Sequence, residues 1–197
     1  MKSVESPLVY CIVLNCGLHP DGRVRKLLMD ALESVRRMTY ANFKVLVVDN
    51  GSIDGSQEAV RANYPDMTLV ENGENLGFME GSNVGLRHAI QERAEWALLL
   101  NNDIVVDPEM LTEMMTAALA WPDAGVVAPK IYYFSEPTKI WYAGGIINYF
   151  TGIVAHRGLR ETDKGQYDRT EETQYITGCA MLIRREVLDN EIGRAHV

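Results

Sequence analysis

The apolar run at residues 97–100 stops abruptly at Asn101, Asn102 and Asp103, and this change constrains the fold more than any other stretch. Four continuous apolar residues bounded by polar ones suit a strand covered on both faces, not a helix with one wet side. Such strands belong to parallel sheets packed between helices, where ligands sit at the carboxyl ends. Two amides and a carboxylate therefore fall where a ligand is expected. Asp107-Pro108-Glu109 follows, with a capping residue, a proline at the first helical position and an acid in the first turn. This predicts a helix over 108–120. Taken alone, Asn-Asn-Asp reads equally well as a polar turn whose side chains bond their own backbone.

The pattern recurs elsewhere, which moves the balance toward a site. Residues 8–14 give an apolar strand ended by Asn15, and Leu27, Leu28, Ala31, Leu32 and Val35 then recur at helical spacing over 24–38. Residues 43–48 give a second strand ending in Asp49 and Asn50. A helix over 56–63 stops before Pro65, and a third strand occupies 67–70. Asn75 leads into a helix reaching about residue 93, in which Gly77, Gly81 and Gly85 lie along one side. Those glycines favour tight packing of the helix on the sheet over direct ligand contact. A short strand is expected at 125–128. Alternating strands and helices predict an α/β fold, a mainly parallel sheet flanked by helices.

Beyond Pro129 the composition turns to Tyr, Trp, Gly and Thr, which reads as a β- and loop-rich C-terminal extension with a mobile polar segment at 161–172. A strand at 175–183 should then complete the sheet and leave an exposed edge open to self-association. A helix begins at 184–188. No repeat or linker divides the 197 residues, so a single domain is expected.

A net charge of -8 argues against nucleic acid as a partner. An acidic protein that binds a phosphate ester needs a metal, a helix N-terminus or a few local cations. No apolar run approaches a membrane span. The 8–14 run has little charge before it and no cleavage site after it, so it reads as a strand and not a signal peptide. Three cysteines without a C-x-x-C pair fit a reducing cytoplasm. The segment 50–55 faintly resembles a calcium loop, but its twelfth position is Arg61 where a bidentate Glu is needed. A phosphate loop, an H-E-x-x-H pair and a G-x-S-x-G elbow are all absent, and the four histidines show no ligand spacing.

What remains is a row of polar strand ends: Asn15, Asp49-Asn50 and Asn101-Asn102-Asp103, with Asn75 beside them. Amides and carboxylates in a row suit a base edge and ribose hydroxyls, and one carboxylate can carry a divalent ion that neutralises a diphosphate. These residues also carry a resemblance. Val47-Val48-Asp49-Asn50-Gly51-Ser52-Ile53-Asp54-Gly55-Ser56, Asn75-Leu76-Gly77-Phe78, Leu100-Asn101-Asn102-Asp103 and Thr177-Gly178-Cys179-Ala180 together resemble family 2 glycosyltransferases of the GT-A (Rossmann-like) fold. The branch resembled is that of bacterial rhamnosyltransferase-like enzymes of surface polysaccharide synthesis.

The resemblance implies that Asp49 contacts the base and that Asn15, Asn75, Asn101 and Asn102 line the nucleotide pocket. It makes Asp103 the ligand of Mg2+ or Mn2+ at the donor diphosphate, and places Thr177 and Gly178 on the sugar and acceptor side. The nucleotide-binding part is then about 7–128 and the acceptor-side part about 129–190. The implied partners are a nucleoside-diphosphate sugar donor, of the dTDP or UDP kind, and a saccharide or lipid-linked acceptor. The implied place is the cytoplasm or the inner face of the membrane. Peripheral membrane association of the full-length protein and a homo-oligomer both stay open. The family's reaction is an inverting transfer in which a carboxylate base deprotonates the acceptor hydroxyl.

The departure lies at the end, where Glu191-Ile192-Gly193 leads to Arg194-Ala195-His196-Val197 and not to the family's Phe-Asp-Glu and Glu-Asp segments. The base is therefore expected beyond Val197, with Asp189 and Glu191 as the late acids within the chain. A non-catalytic nucleotide-sugar binding module is the alternative. A nucleotidyltransferase is weaker, because the glycine-rich N-terminal loop with a basic residue is missing.

Overall fold

The structure is a computed structural model and describes residues 6–191. Its centre is a six-stranded sheet in the order β3-β2-β1-β4-β10-β5, formed by Thr68–Glu71, Phe43–Asp49, Val9–Asn15, Trp96–Asn101, Ala180–Arg184 and Val126–Val127. β3, β2, β1 and β4 run parallel, and β10 is antiparallel to both neighbours. Strands covered on both faces need apolar side chains on both, which is why Val9, Tyr10, Cys11, Ile12 and Val13 are all buried in sequence.

Alternation sends those side chains into two clusters. On one face Cys11, Val13, Val47 and Leu98 meet α1 (Arg23–Arg36), α2 (Ser56–Asn63) and α4 (Met110–Ala120) through Leu28, Leu32, Val60, Leu111 and Met115. On the other, Ile12, Leu46, Val48 and Leu99 meet Leu86 and Ala89 of α3 (Gly77–Gln91) and Leu188 of α5 (Arg185–Glu191). A Cβ at Gly85 would come within 2.4 Å of Ile12 Cγ2, and one at Gly81 within 2.8 Å of Leu14 Cδ1, so both glycines serve close helix–sheet packing as expected. Gly77 has another task. It opens α3 at φ 78°, where a side chain would be strained.

Three expectations change. The returning strand spans Ala180–Arg184, starting five residues later than the expected 175–183, and it lies between β4 and β5, so it is not an exposed edge. Residues before it leave the sheet: Tyr175 lays its ring over Gly145, and its carbonyl accepts from Tyr142 Oη at 2.7 Å. The polar segment at 161–172 is tied down rather than loose: Lys130 Nζ donates to Asp163 at 2.7 Å and to Asp168 at 2.6 Å, and Thr162 bridges Lys139. α4 starts at Met110, two residues later than expected, because Asp107 Oδ1 accepts from Glu109 N and holds residues 107–110 in a turn.

The extension itself holds two small antiparallel sheets, β6 (Ile131–Tyr133) with β7 (Glu136–Tyr142) and β8 (Gly145–Asn148) with β9 (Ile153–His156).

Candidate functional site

The parallel register fixes the site. Asn15 pairs with Asp49 and Leu14 with Asn101, so the carboxyl ends of β1, β2 and β4 fall in one row. Chain order reverses between β1 and β4, which opens a crevice at this edge for a ligand.

Asn15 lies at the centre of that row, fully buried. Its Nδ2 donates to Asp49 Oδ2 at 3.1 Å and to Ser52 Oγ at 2.9 Å, while its Oδ1 accepts from Asn102 Nδ2 at 2.7 Å. Asp49 is also buried, and its Oδ1 accepts from Ser52 N and from Gln57 Nε2, both at 2.9 Å. Asn101 and Asn102 are half-buried, and Asn101 N donates to Cys179 O at 3.1 Å. That bond brings the start of β10 to the same edge, so Thr177 and Gly178 stand next to the Asn-Asn-Asp cluster in space. The Phe78 ring lies 3.7 Å from where a Gly178 Cβ would be, and Phe78 is itself half exposed.

Asp103 differs from its neighbours. It is exposed, and its carboxylate makes no hydrogen bond or ion pair among the described residues. Its loop is nevertheless fixed: buried Val106 donates its N–H to the buried Ser34 Oγ at 3.0 Å, and Thr39 N bonds Pro108 O at 2.8 Å. A free carboxylate on a held loop, beside amide oxygens, suits a hard divalent ion that takes its remaining ligands from water and a diphosphate. No group of three or more His, Cys, Asp or Glu able to hold a metal occurs among the described residues, so such an ion would be shared with its ligand.

Sequence reasoning undervalued two side chains. Asn50, buried, donates from Nδ2 to Asn75 Oδ1 at 2.9 Å and to Gly77 O at 3.1 Å, and its Oδ1 accepts from Asn72 Nδ2 and Leu76 N. It fixes the loop that carries Asn75, which is exposed and also accepts from Gly77 N at 2.9 Å. Asp54, the acid of the calcium-like segment 50–55, is buried and accepts from Arg25 N at 2.8 Å and Ser56 N at 3.1 Å. One carboxylate thus caps both α1 and α2, whose own cap residues are Gly22 and Gly55 with no side chain to offer. The recurrence of Asx side chains just after strand ends was the available signal for both.

The late acid Asp189 is engaged elsewhere. β10 runs away from the site, so α5 begins at the amino end of β4, where Arg185 N bonds Glu95 O. Arg185 Nε then holds Asp189 at 2.8 and 3.0 Å. The side chain of Glu191, the other late acid, lies outside the described residues.

Comparison with known proteins agrees with this geometry. The chain is 31% identical over 109 residues to an N-acetylglucosaminyl-diphospho-decaprenol L-rhamnosyltransferase of Mycobacterium tuberculosis, a match covering 51% of this chain and 35% of the relative. It is 29% identical over 87 residues to the low-salt glycan biosynthesis hexosyltransferase of Haloferax volcanii, covering 44% and 27%. The chain thus spans about a third of the length of these relatives. Among solved structures, a mannosyltransferase from Pyrobaculum calidifontis in complex with GDP-Man and Mn2+ superposes with a TM-score of 0.61 at 21% identity, covering 95% of this chain and 47% of the other. TarS 1-349 of S. aureus gives 0.63 at 15% identity, covering 93% and 49%. These likenesses give the fold, GT-A. The model of the family described as glycosyl transferase family 2 matches residues 22–191, and the chain belongs to that family.

Proposed function

We propose that the strand ends of β1, β2 and β4 bind a nucleoside-diphosphate sugar with Mg2+ or Mn2+. The full-length protein would transfer the sugar, with inversion, to a saccharide or lipid-linked acceptor in surface polysaccharide synthesis. The observation that carries this reading is Asp103, an unengaged carboxylate on a fixed loop beside the buried amide network of Asn15 and Asn102. Residues 7–128 would receive the nucleotide, and residues 129–190 would face the acceptor, with Thr177 and Gly178 between the two. A relative named for a diphospho-decaprenol acceptor supports the lipid-linked class, and a structural neighbour holding GDP-Man and Mn2+ supports a metal-assisted donor site.

Each residue has a task in this reading. Asn75, Asn101 and Asn102 offer amides to ribose and phosphate oxygens, while Asn15, fully buried with both amide hydrogens given to Asp49 and Ser52, positions Asp49 and Asn102 instead of touching the ligand. Asp49 Oδ2 takes one donor from within the chain and keeps a lone pair for the imide N–H of a pyrimidine, which favours uridine or thymidine diphosphate over guanosine diphosphate. A divalent ion held by Asp103 would neutralise the leaving diphosphate. No described residue is assigned as the base, since Asp189 is held by Arg185. A non-catalytic binding module would share this pocket and differ in turnover by the full-length protein.

The test is titration calorimetry with uridine, thymidine and guanosine diphosphates in Mn2+, using the present chain and Asp103→Ala. Removing the charged partner should weaken binding by about 2 to 5 kcal/mol and abolish its metal dependence. Equal affinity of the two proteins in Mn2+ would overturn the metal assignment, and a preference for guanosine diphosphate would overturn the role of Asp49.

A further inference from the structure

The hairpin β8–β9 presents an apolar tip that the donor site does not use. Phe150 is 102% exposed and Tyr149 77%, with Ile153, Val154 and Ile146 at 62%, 57% and 48%. In the register Ile146 opposes Ala155, Ile147 opposes Val154 and Asn148 opposes Ile153. Successive pairs point to opposite faces, so apolar side chains stand on both. A protein docked flat on one face would leave the other wet. A medium that surrounds the tip covers both.

Two further observations fit such a medium. Residues 140–156 contain no Asp, Glu, Lys or Arg, and 129–176 hold six basic and six acidic residues, so the net charge of -8 lies outside the extension. The tip also bonds three of its own N–H groups internally. Asn148 Oδ1 accepts from Phe150 N at 3.0 Å and Thr151 N at 3.2 Å, and Asn148 O accepts from Gly152 N at 2.8 Å. Each N–H bonded within the turn lowers the cost of taking it out of water. The hairpin base is held in turn by Gly145 N to Thr173 Oγ1 and Ile147 N to Gln174 Oε1, both at 2.6 Å.

We propose that the tip, led by Tyr149 and Phe150, inserts into the boundary between headgroups and acyl chains of a lipid bilayer. Phe150 supplies the buried ring and Tyr149 keeps its hydroxyl among headgroups. No helix among the described residues is long and apolar enough to cross a membrane, and the contact proposed for the tip is of the surface kind. The inference does not depend on the donor site, and its test uses neither nucleotide nor metal.

Co-sedimentation with vesicles of phosphatidylethanolamine and phosphatidylglycerol compares the unaltered chain with Tyr149→Ser/Phe150→Ser. The partition coefficient should fall at least roughly tenfold, as for the loss of two interfacial aromatic rings. Thermal melting by circular dichroism should be unchanged, since both side chains are exposed. In a Phe150→Trp variant, vesicles with brominated acyl chains should quench emission beyond that of the native tryptophans. Absence of vesicle binding by the unaltered chain, or absence of added quenching in Phe150→Trp, would overturn the proposal. So would a dimer in sedimentation equilibrium that the double variant dissolves while vesicle binding persists, because the tip would then serve a second copy.

Discussion

The side-chain amide of Asn102 donates to Oδ1 of Asn15 across 2.7 Å and ties the end of β4 to the end of β1. The bond spans the point where strand order reverses, next to the free carboxylate of Asp103. Asn102→Ala should therefore lower stability by about 0.5 to 1.5 kcal/mol, the ordinary worth of such a bond. Donor affinity should fall as well, because the Asp103 loop loses its tether at the site. Urea denaturation and calorimetry on the same protein check both expectations.

Asn15 offers a sharper test of the network. Asn15→Asp removes the donor at 3.1 Å from Asp49 Oδ2 and sets a second carboxylate against the first in a buried place. The expected loss at neutral pH is about 3 to 5 kcal/mol, against about 1 to 3 for Asn15→Ala, and denaturation midpoints should rank the two.

The tether on the other side of the loop is Ser34, whose buried hydroxyl accepts from Val106 N at 3.0 Å. Ser34→Ala should cost about 1 to 3 kcal/mol, since Val106 N–H is left buried without a partner. Hydrogen exchange should show the amide of Val106 losing protection, with β1 and β2 unaffected.

The extension has its own pH response. The Lys130 ammonium, then the Tyr132 hydroxyl and the Gly165 N–H, hold the Asp163 carboxyl down from its ordinary 3.8 to about 2. A depressed carboxyl contributes stability that is complete above its unfolded value and is lost as pH falls through the folded one. The clamp of 163–168 on Lys130 should thus persist at pH 5 and release between about pH 4 and 2. Asp163→Asn should show the released state already at pH 7, as read by amide exchange at Gly165.

Thiol chemistry should follow burial. Full burial pushes the Cys11 thiol up to about 12, and Cys16 is raised as well, by burial and by the nearby Asp49. Alkylation at pH 8 should mark Cys179 and Cys16 in the native protein and reach Cys11 after unfolding, as mass mapping would show.

How much of this could be read from the chain follows from range. β1, β2 and β4 were legible because apolar runs between helices have few other solutions, and the polar residues at their ends had to fall at one edge. The direction of β10 was not, because five residues that pair on both sides look the same in either sense. Segment 161–172 was misjudged for a related reason: its composition is that of a free loop, and Lys130, which holds it, lies thirty-odd residues away. Within the site, neighbouring amides were indistinguishable by type. The structure separates them by burial, making Asn50 the organiser and leaving Asn75 exposed.

The place of β10 also sets an order of events during synthesis. β5 pairs with β10 and with no other strand among the described residues, so when residues 126–127 leave the ribosome their partner has yet to be made. The parallel strands β3, β2, β1 and β4 can assemble on α1, α2 and α3 as they emerge, while the far side of β4 waits for residue 180. During that interval β4 is an apolar edge open to other nascent chains. A pause or a break between residues 128 and 180 should therefore yield aggregation rather than a smaller folded protein.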